Sequence, residues 1–202
     1  MHAYLNASDY IDCQHPEVVE LAARLAEGLS SPLGIAESCF VWVRDTILHT
    51  GDYRDSMGDI ITCRASDVLR EGTGYCFAKS HLLVALLRAN SIPAGLCYQR
   101  LSRDDNGPPF CLHGLAAVKL PDYGWYRIDP RGNKPGVQAE FTPPVEQLAF
   151  SLSVAEEADL VEIWPEPLPI IVETLTRYDN HADVWSNLPA IELIAQDIPH
   201  EL

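Results

Sequence analysis

The 202-residue sequence predicts an α+β domain, with N-terminal helices and a central cysteine-bearing helix packed on an antiparallel sheet. Three observations predict it. Residues 77–89 carry apolar side chains at i, i+3, i+4 and i+7 with no Pro or Gly, the pattern of a helix with a wide buried face. Residues 94–101, 113–120 and 125–129 read as strands, separated by the turn-rich runs Asp104-Asp105-Asn106-Gly107-Pro108-Pro109 and Pro121-Asp122-Tyr123-Gly124. Two further helical patterns precede the central one, so helices come first and strands after.

In chain order, residues 3–13 alternate loosely through Tyr4, Leu5, Tyr10 and Ile11 and read as a first strand or an extended arm. Pro16 opens a helix over 17–27. Pro in the first turn with acids beside it suits a helix start, and Gly28 suits its stop. A second helix covers about 34–49, with Ile35, Phe40, Val41, Val43, Ile47 and Leu48 as its apolar positions, and Gly51-Asp52 ends it. Residues 52–64 read as loop and 66–70 as a short helical turn. The central helix stops at Asn90, Ser91 and Pro93, since Pro neither continues a helix nor favours one just before it. Further on, 159–164 reads as a strand, 168–178 as a helix and 184–188 as a short turn, and the last six residues are expected to fray. Trp164, Tyr178 and Trp185 are expected to pack on the sheet rather than to line a pocket. The chain reads as one domain over 1–202, with a core over about 36–135 and a C-terminal extension, 137–202, packed on it.

Composition bounds the function. A net charge of -15 argues against nucleic-acid and anionic-membrane partners, which would repel the surface. No apolar run reaches the ~18 residues that a membrane span needs. The segment after Met1 has neither a basic nor an apolar leader pattern, so a cytoplasmic location is expected. The six cysteines form no Cys-x-x-Cys pair and no zinc-ligand spacing with histidine, so no metal is expected. Cys39 and Cys97 lie in apolar runs as reduced core residues.

Cys76 differs from them in its place. It stands where the Gly74-containing loop enters the central helix. The first amides of a helix lack internal partners and carry partial positive charge. That end stabilises a thiolate, the nucleophilic form of cysteine, and its amides can hold an oxyanion. A buried cysteine that acts as a small hydrophobe is the other reading. Downstream, His113 starts the second strand and Asp129 ends the third. Pairing them centres the hairpin on Pro121, which sets the two side chains as neighbours at one sheet edge. Cysteine, histidine and aspartate in these places suit a thiol nucleophile, a general base and an orienting carboxylate.

The segment Ala65-Ser66-Asp67-Val68-Leu69-Arg70-Glu71-Gly72-Thr73-Gly74-Tyr75-Cys76, with Leu86-Leu87-Arg88-Ala89-Asn90-Ser91-Ile92-Pro93-Ala94, resembles the transglutaminase-like superfamily of papain-like cysteine enzymes. His113-Gly114-Leu115-Ala116-Ala117-Val118 and Trp125-Tyr126-Arg127-Ile128-Asp129-Pro130 resemble that family's His-led strand and its strand ending in Asp-Pro. The resemblance spans about 36–135. Cys76 and His113 are 37 residues apart, and His113 and Asp129 are 16 apart. It implies a papain-like core and acyl transfer through a thioester on Cys76. His113 would be the base and acid, and Asp129 its orienter. The substrate would be a peptide-like amide, with water or an amine as acceptor, and no cofactor is implied. The Cys76 amide would supply one oxyanion donor, and Tyr53 or Gln99 is the candidate for the second. Lys79 is expected to point to solvent, and His81 to be packed or half-exposed. No calcium-loop pattern is present, so calcium activation is not expected. A non-catalytic binding module on the same scaffold is the alternative, but loss of a triad member would be its sign, and all three residues are present.

Overall fold

The computed structural model describes residues 1–192. Helix α1 (Pro16–Ala26) begins on Pro, as its sequence demands. Helix α2 (Pro32–Thr46) also begins on Pro, and the Ser31 hydroxyl caps it by accepting from the Gly34 amide at 3.1 Å. A two-residue strand β1 (Leu48–His49) follows, then helix α3 (Thr50–Met57) and helix α4 (Ala65–Glu71). Helix α4 stops at Gly72, whose φ of +68° is the left-handed cap conformation that glycine adopts without strain. Strand β2 (Thr73–Gly74) pairs in parallel with β1 and runs into helix α5 (Cys76–Ala89).

Every residue of α5 from Cys76 to Arg88 is buried. The helix is the centre of the core. Helices α1, α2 and α4 pack on one side of it. On the other lie strands β3 (Ala94–Ser102) and β4 (Phe110–Leu120). With β5 (Gly124–Ile128) and β6 (Ala158–Asp159) these form a sheet of order β5-β4-β3-β6, antiparallel throughout. Helices α6 (Pro169–Arg177) and α7 (His181–Ser186) follow. The α+β class holds, with helices before the antiparallel sheet. Among the described residues no helix is long and apolar enough to cross a membrane.

Several boundaries differ from the sequence expectation. Residues 3–13 form no strand. A 3-10 turn (His2–Tyr4) is followed by irregular chain, tied down where the Tyr4 hydroxyl donates to the Ile163 carbonyl at 2.8 Å. The second helix ends at Thr46 because Ile47 turns extended to feed β1. The stretch read as loop from residue 52 is partly helix α3, a polar, solvent-facing helix without apolar periodicity to betray it. Of the predicted 159–164 stretch only Asp159 joins the sheet as a strand, in the two-residue β6, with Trp164 adding one bridge to Leu96. The first part of the expected turn at 184–188 is instead the end of helix α7, which stops at Ser186. The expectation for the last six residues falls outside the described residues.

Candidate active site

Cys76 is the first residue of α5. Tyr75 before it is extended, so the chain bends into the helix at the thiol. Gly74 permits the bend. A Cβ there would lie 3.0 Å from the Ala78 Cβ and 3.1 Å from the Thr62 hydroxyl. Strand β4 passes the same helix end. The amide of Gly114 points at the Cys76 sulfur at 3.4 Å. Only glycine allows that approach, because a Cβ on residue 114 would sit 2.5 Å from the Phe77 ring and 3.1 Å from its Cα.

His113 and Asp129 meet as expected, by a different register. Strands β4 and β5 pair Leu120 with Gly124 and Ala116 with Ile128, so β5 ends before it reaches His113. The cross-strand mate of His113 is Gln99 on β3. Asp129, just past the end of β5, accepts from His113 Nε2 on Oδ2 at 2.7 Å. The same oxygen accepts from the Ala149 amide at 3.1 Å, and Oδ1 accepts from the Arg131 amide at 3.1 Å. The carboxylate is fully buried, and these donors supply what water would. The ring edge of His113 meets Phe150 at 5.0 Å. With Nε2 on Asp129, Nδ1 is the ring nitrogen left for the thiol of Cys76, which lines the same cleft and interacts with the ring electrostatically.

Charge follows geometry. Burial by itself would lower the pKa of His113, but the charges of Asp129 and Cys76 outweigh it and raise it to about 10. Burial would raise that of Asp129, and the His113 charge with three hydrogen bonds holds it below the ordinary carboxylate value. The imidazolium–carboxylate pair is the favoured state. The thiols of Cys13, Cys39, Cys63, Cys97 and Cys111 are all pushed up by burial, which leaves them poor nucleophiles.

Cys76 and His113 line a cleft of about 260 Å³ with Tyr75, Phe77, Phe150 and Trp185. Neither predicted second donor lines it. Tyr53 lies on α3, 46% exposed, and faces a neighbouring cavity instead. Gln99 is 1% exposed rather than solvent-facing, and its amide nitrogen already donates to Asp159 Oδ1 at 2.9 Å and the Phe150 carbonyl at 3.3 Å. Lys79 does not reach solvent. It is fully buried, because it lies on the all-buried α5, and its ammonium donates to the Arg44 and Ile47 carbonyls at the end of α2. Burial, and secondarily the Arg131 charge, lower its pKa to about 7. His81 is fully buried on Cys63, its Nδ1 2.7 Å from that carbonyl, and burial takes its pKa down to about 4. Trp185, expected to pack, is 45% exposed and lines the cleft, while Trp164 is also half-exposed.

Other residues of the site left no sequence signal. His49, on β1, lines the cleft, and its buried Nδ1 has no hydrogen-bond partner. Burial and the Arg131 charge keep its ring neutral, with a pKa well below the usual histidine value. The Arg131 guanidinium contacts Asp52 on α3 at 2.6 and 3.1 Å, and Lys134 reaches the same carboxylate at 2.6 Å. A second network thus fixes the loop whose backbone holds Asp129. These contacts join segments about 80 residues apart, which periodicity cannot reveal.

The model of the transglutaminase-like superfamily matches residues 19–130, more than half of the chain. The protein belongs to the transglutaminase-like superfamily. The match runs from α1 to the residue after Asp129 and so contains the whole constellation. A provisionally named cysteine protease from Cytophaga hutchinsonii superposes with a TM-score of 0.50 at 22% identity, over 63% of this chain and 40% of that one. The periplasmic domain of TgpA from Pseudomonas aeruginosa gives 0.45 at 18%, over 63% of this chain and 45% of that one. At 22% identity the likeness to the Cytophaga hutchinsonii structure is one of fold. The chain spans less than half the length of these solved structures. A search of curated proteins found no match. Membership in the transglutaminase-like superfamily supports an enzyme of the general cysteine type.

Proposed function

We propose that this transglutaminase-like protein is a cysteine enzyme that breaks a peptide-like amide through a thioester on Cys76. The observation that carries the reading is that His113, held by a buried carboxylate 2.7 Å from Nε2, lines one cleft with Cys76, whose sulfur the amide of the next residue, Gly114, meets at 3.4 Å. In this reading the Cys76 sulfur attacks the amide carbonyl carbon. His113 passes the thiol proton to the departing nitrogen as the C–N bond breaks. Water or an amine then adds to the thioester and gives its proton to His113. The C–S bond breaks and the thiol is restored. Asp129 fixes the ring and stabilises its charged form throughout. The free amides at the start of α5 face the developing oxyanion. His49, buried and neutral in the same cleft, is the side chain placed to join them.

The test uses peptides with side-chain and C-terminal amides, followed by release of ammonia or amine. Wild type is expected to release it, and Cys76→Ala is not. Turnover that survives Cys76→Ala contradicts the reading. His49→Ala is expected to lower kcat by about 10²-fold while Cys76 alkylation is unchanged, the mark of a group that meets the oxyanion and not the thiol.

A further inference from the structure

The sheet is unevenly covered at β4. Strand β3 pairs with it from Phe110 to Val118, whereas β5 covers only Ala116 to Leu120 on the other side. The stretch from Phe110 to Leu115 therefore keeps an edge that β5 does not reach, and this stretch contains His113. Along it, outward amides recur every second residue. The amide of Gly114 points to the Cys76 sulfur. That of Leu112, two residues or about 7 Å away along the strand, donates to the carbonyl of Pro189 at 2.7 Å.

Pro189 belongs to the segment that follows α7. It is buried, Leu188 beside it lines the cleft with Cys76, and the Ile191 carbonyl accepts from Arg100 Nε at 3.0 Å. Trp185 enters the same cleft with the Arg103 guanidinium 4.9 Å from its ring centre. A stretch of the chain's own backbone therefore lies beside the strand edge that leads to the thiol, with an apolar side chain in the cleft. Its fit is incomplete in one respect. Proline has no N–H to return to the Leu112 carbonyl, so it completes only half of a strand pair.

We propose that this edge of β4 is a binding site for an extended polypeptide, added as a strand with a bulky apolar side chain in the cleft, and that residues 187–191 occupy it as a substrate-like competitor. The proposal rests on the acyl-transfer reading above for its substrate and deepens it. A peptide that gives a carbonyl to Leu112 has its backbone two residues further on level with Gly114, and so at the sulfur. Main-chain bonds of this kind supply affinity without regard to sequence, and the cleft supplies the preference. Large apolar side chains suit the Phe150, Leu101 and Leu112 walls.

The test reads iodoacetamide alkylation of Cys76 by mass spectrometry in the full chain. Leu188→Asp places a charge in the apolar cleft and is expected to raise the rate at least about fivefold by freeing the edge. Val161→Asp, at an 89% exposed side chain, is expected to leave it unchanged. Added to the Leu188→Asp protein, the capped peptide Trp-Ser-Asn-Leu-Pro-Ala-Ile is expected to slow alkylation again. The same peptide with Ala for Pro should do so at lower concentration, because it restores the missing N–H. Should Leu188→Asp fail to fold, Trp185→Ala serves in its place, since its side chain is half-exposed. A folded variant alkylated at the wild-type rate, or no protection by either peptide, overturns the proposal. Protection without any amide turnover would leave the binding site standing and sink the acyl-transfer reading. Turnover that is indifferent to Leu188→Asp and to both peptides would do the reverse.

Discussion

Replacing His113 with alanine is expected to lower amide turnover by about 10²–10⁴-fold, the usual worth of a positioned general base and acid. The same variant carries a pH signature in stability. The folded-state pKa of His113 is raised to about 10, against an unfolded value of ~6.5. A raised pKa means that the folded state binds the proton more tightly. The stabilisation is fully present below about pH 6.5 and is lost as pH rises through 10. Urea unfolding is therefore expected to show the largest gap between wild type and His113→Ala near pH 6, and a gap that closes above pH 10. Asp129 works at the other end. Its pKa is lowered, so its contribution is present above the ordinary carboxylate value of 3.8 and fades as pH falls below it. A gap between wild type and His113→Ala that widens with rising pH would show that the imidazolium is not the favoured state.

Gly114→Ala is expected to be the most damaging change that removes no functional group. Its Cβ would stand 2.5 Å from the Phe77 ring and 3.1 and 3.2 Å from the Phe77 Cα and amide. The ring can swing aside, but the backbone of α5 cannot move without its buried neighbours. Overpacking of this kind costs about 1–3 kcal/mol. The larger effect is on geometry. Strand β4 carries both His113 and the amide that meets the Cys76 sulfur, so pushing it off the helix end separates base from nucleophile. A loss of turnover well beyond the loss of stability is expected. A Gly114→Ala protein with wild-type turnover and melting temperature would refute the close approach.

Much of this site was legible in the sequence because its parts sit at element ends. Cys76 at the mouth of an uninterrupted apolar run, His113 at a strand start and Asp129 before Pro130 are local signals, and the turn between the strands ties the last two together. Hairpin symmetry about Pro121 gives the right neighbours by an inexact route. It pairs His113 with Asp129 across the hairpin, whereas β5 stops short and Asp129 reaches over from the following bend. What stayed hidden depends on long-range packing. Lys79 reads as a surface lysine by type, yet α5 is buried on all sides, and its ammonium finds carbonyls at the end of another helix. Helix α3 has no apolar stripe, so its Asp52, which meets Arg131 and Lys134, could not be anticipated. Gln99 stood on the correct strand opposite His113, but its amide turns to Asp159, a residue 60 positions away.

The central claim is that Cys76 is a nucleophile made ready by His113, and it can be tested without knowing the substrate. The measurement is the rate of Cys76 alkylation by iodoacetamide from pH 5 to 10, in wild type and in His113→Ala. The account predicts that wild-type Cys76 already reacts at pH 6, at least about tenfold faster than in His113→Ala, because the imidazolium stabilises the thiolate. Equal rates in the two proteins across the whole range would contradict it, since the thiol would then owe nothing to the histidine that the fold sets beside it.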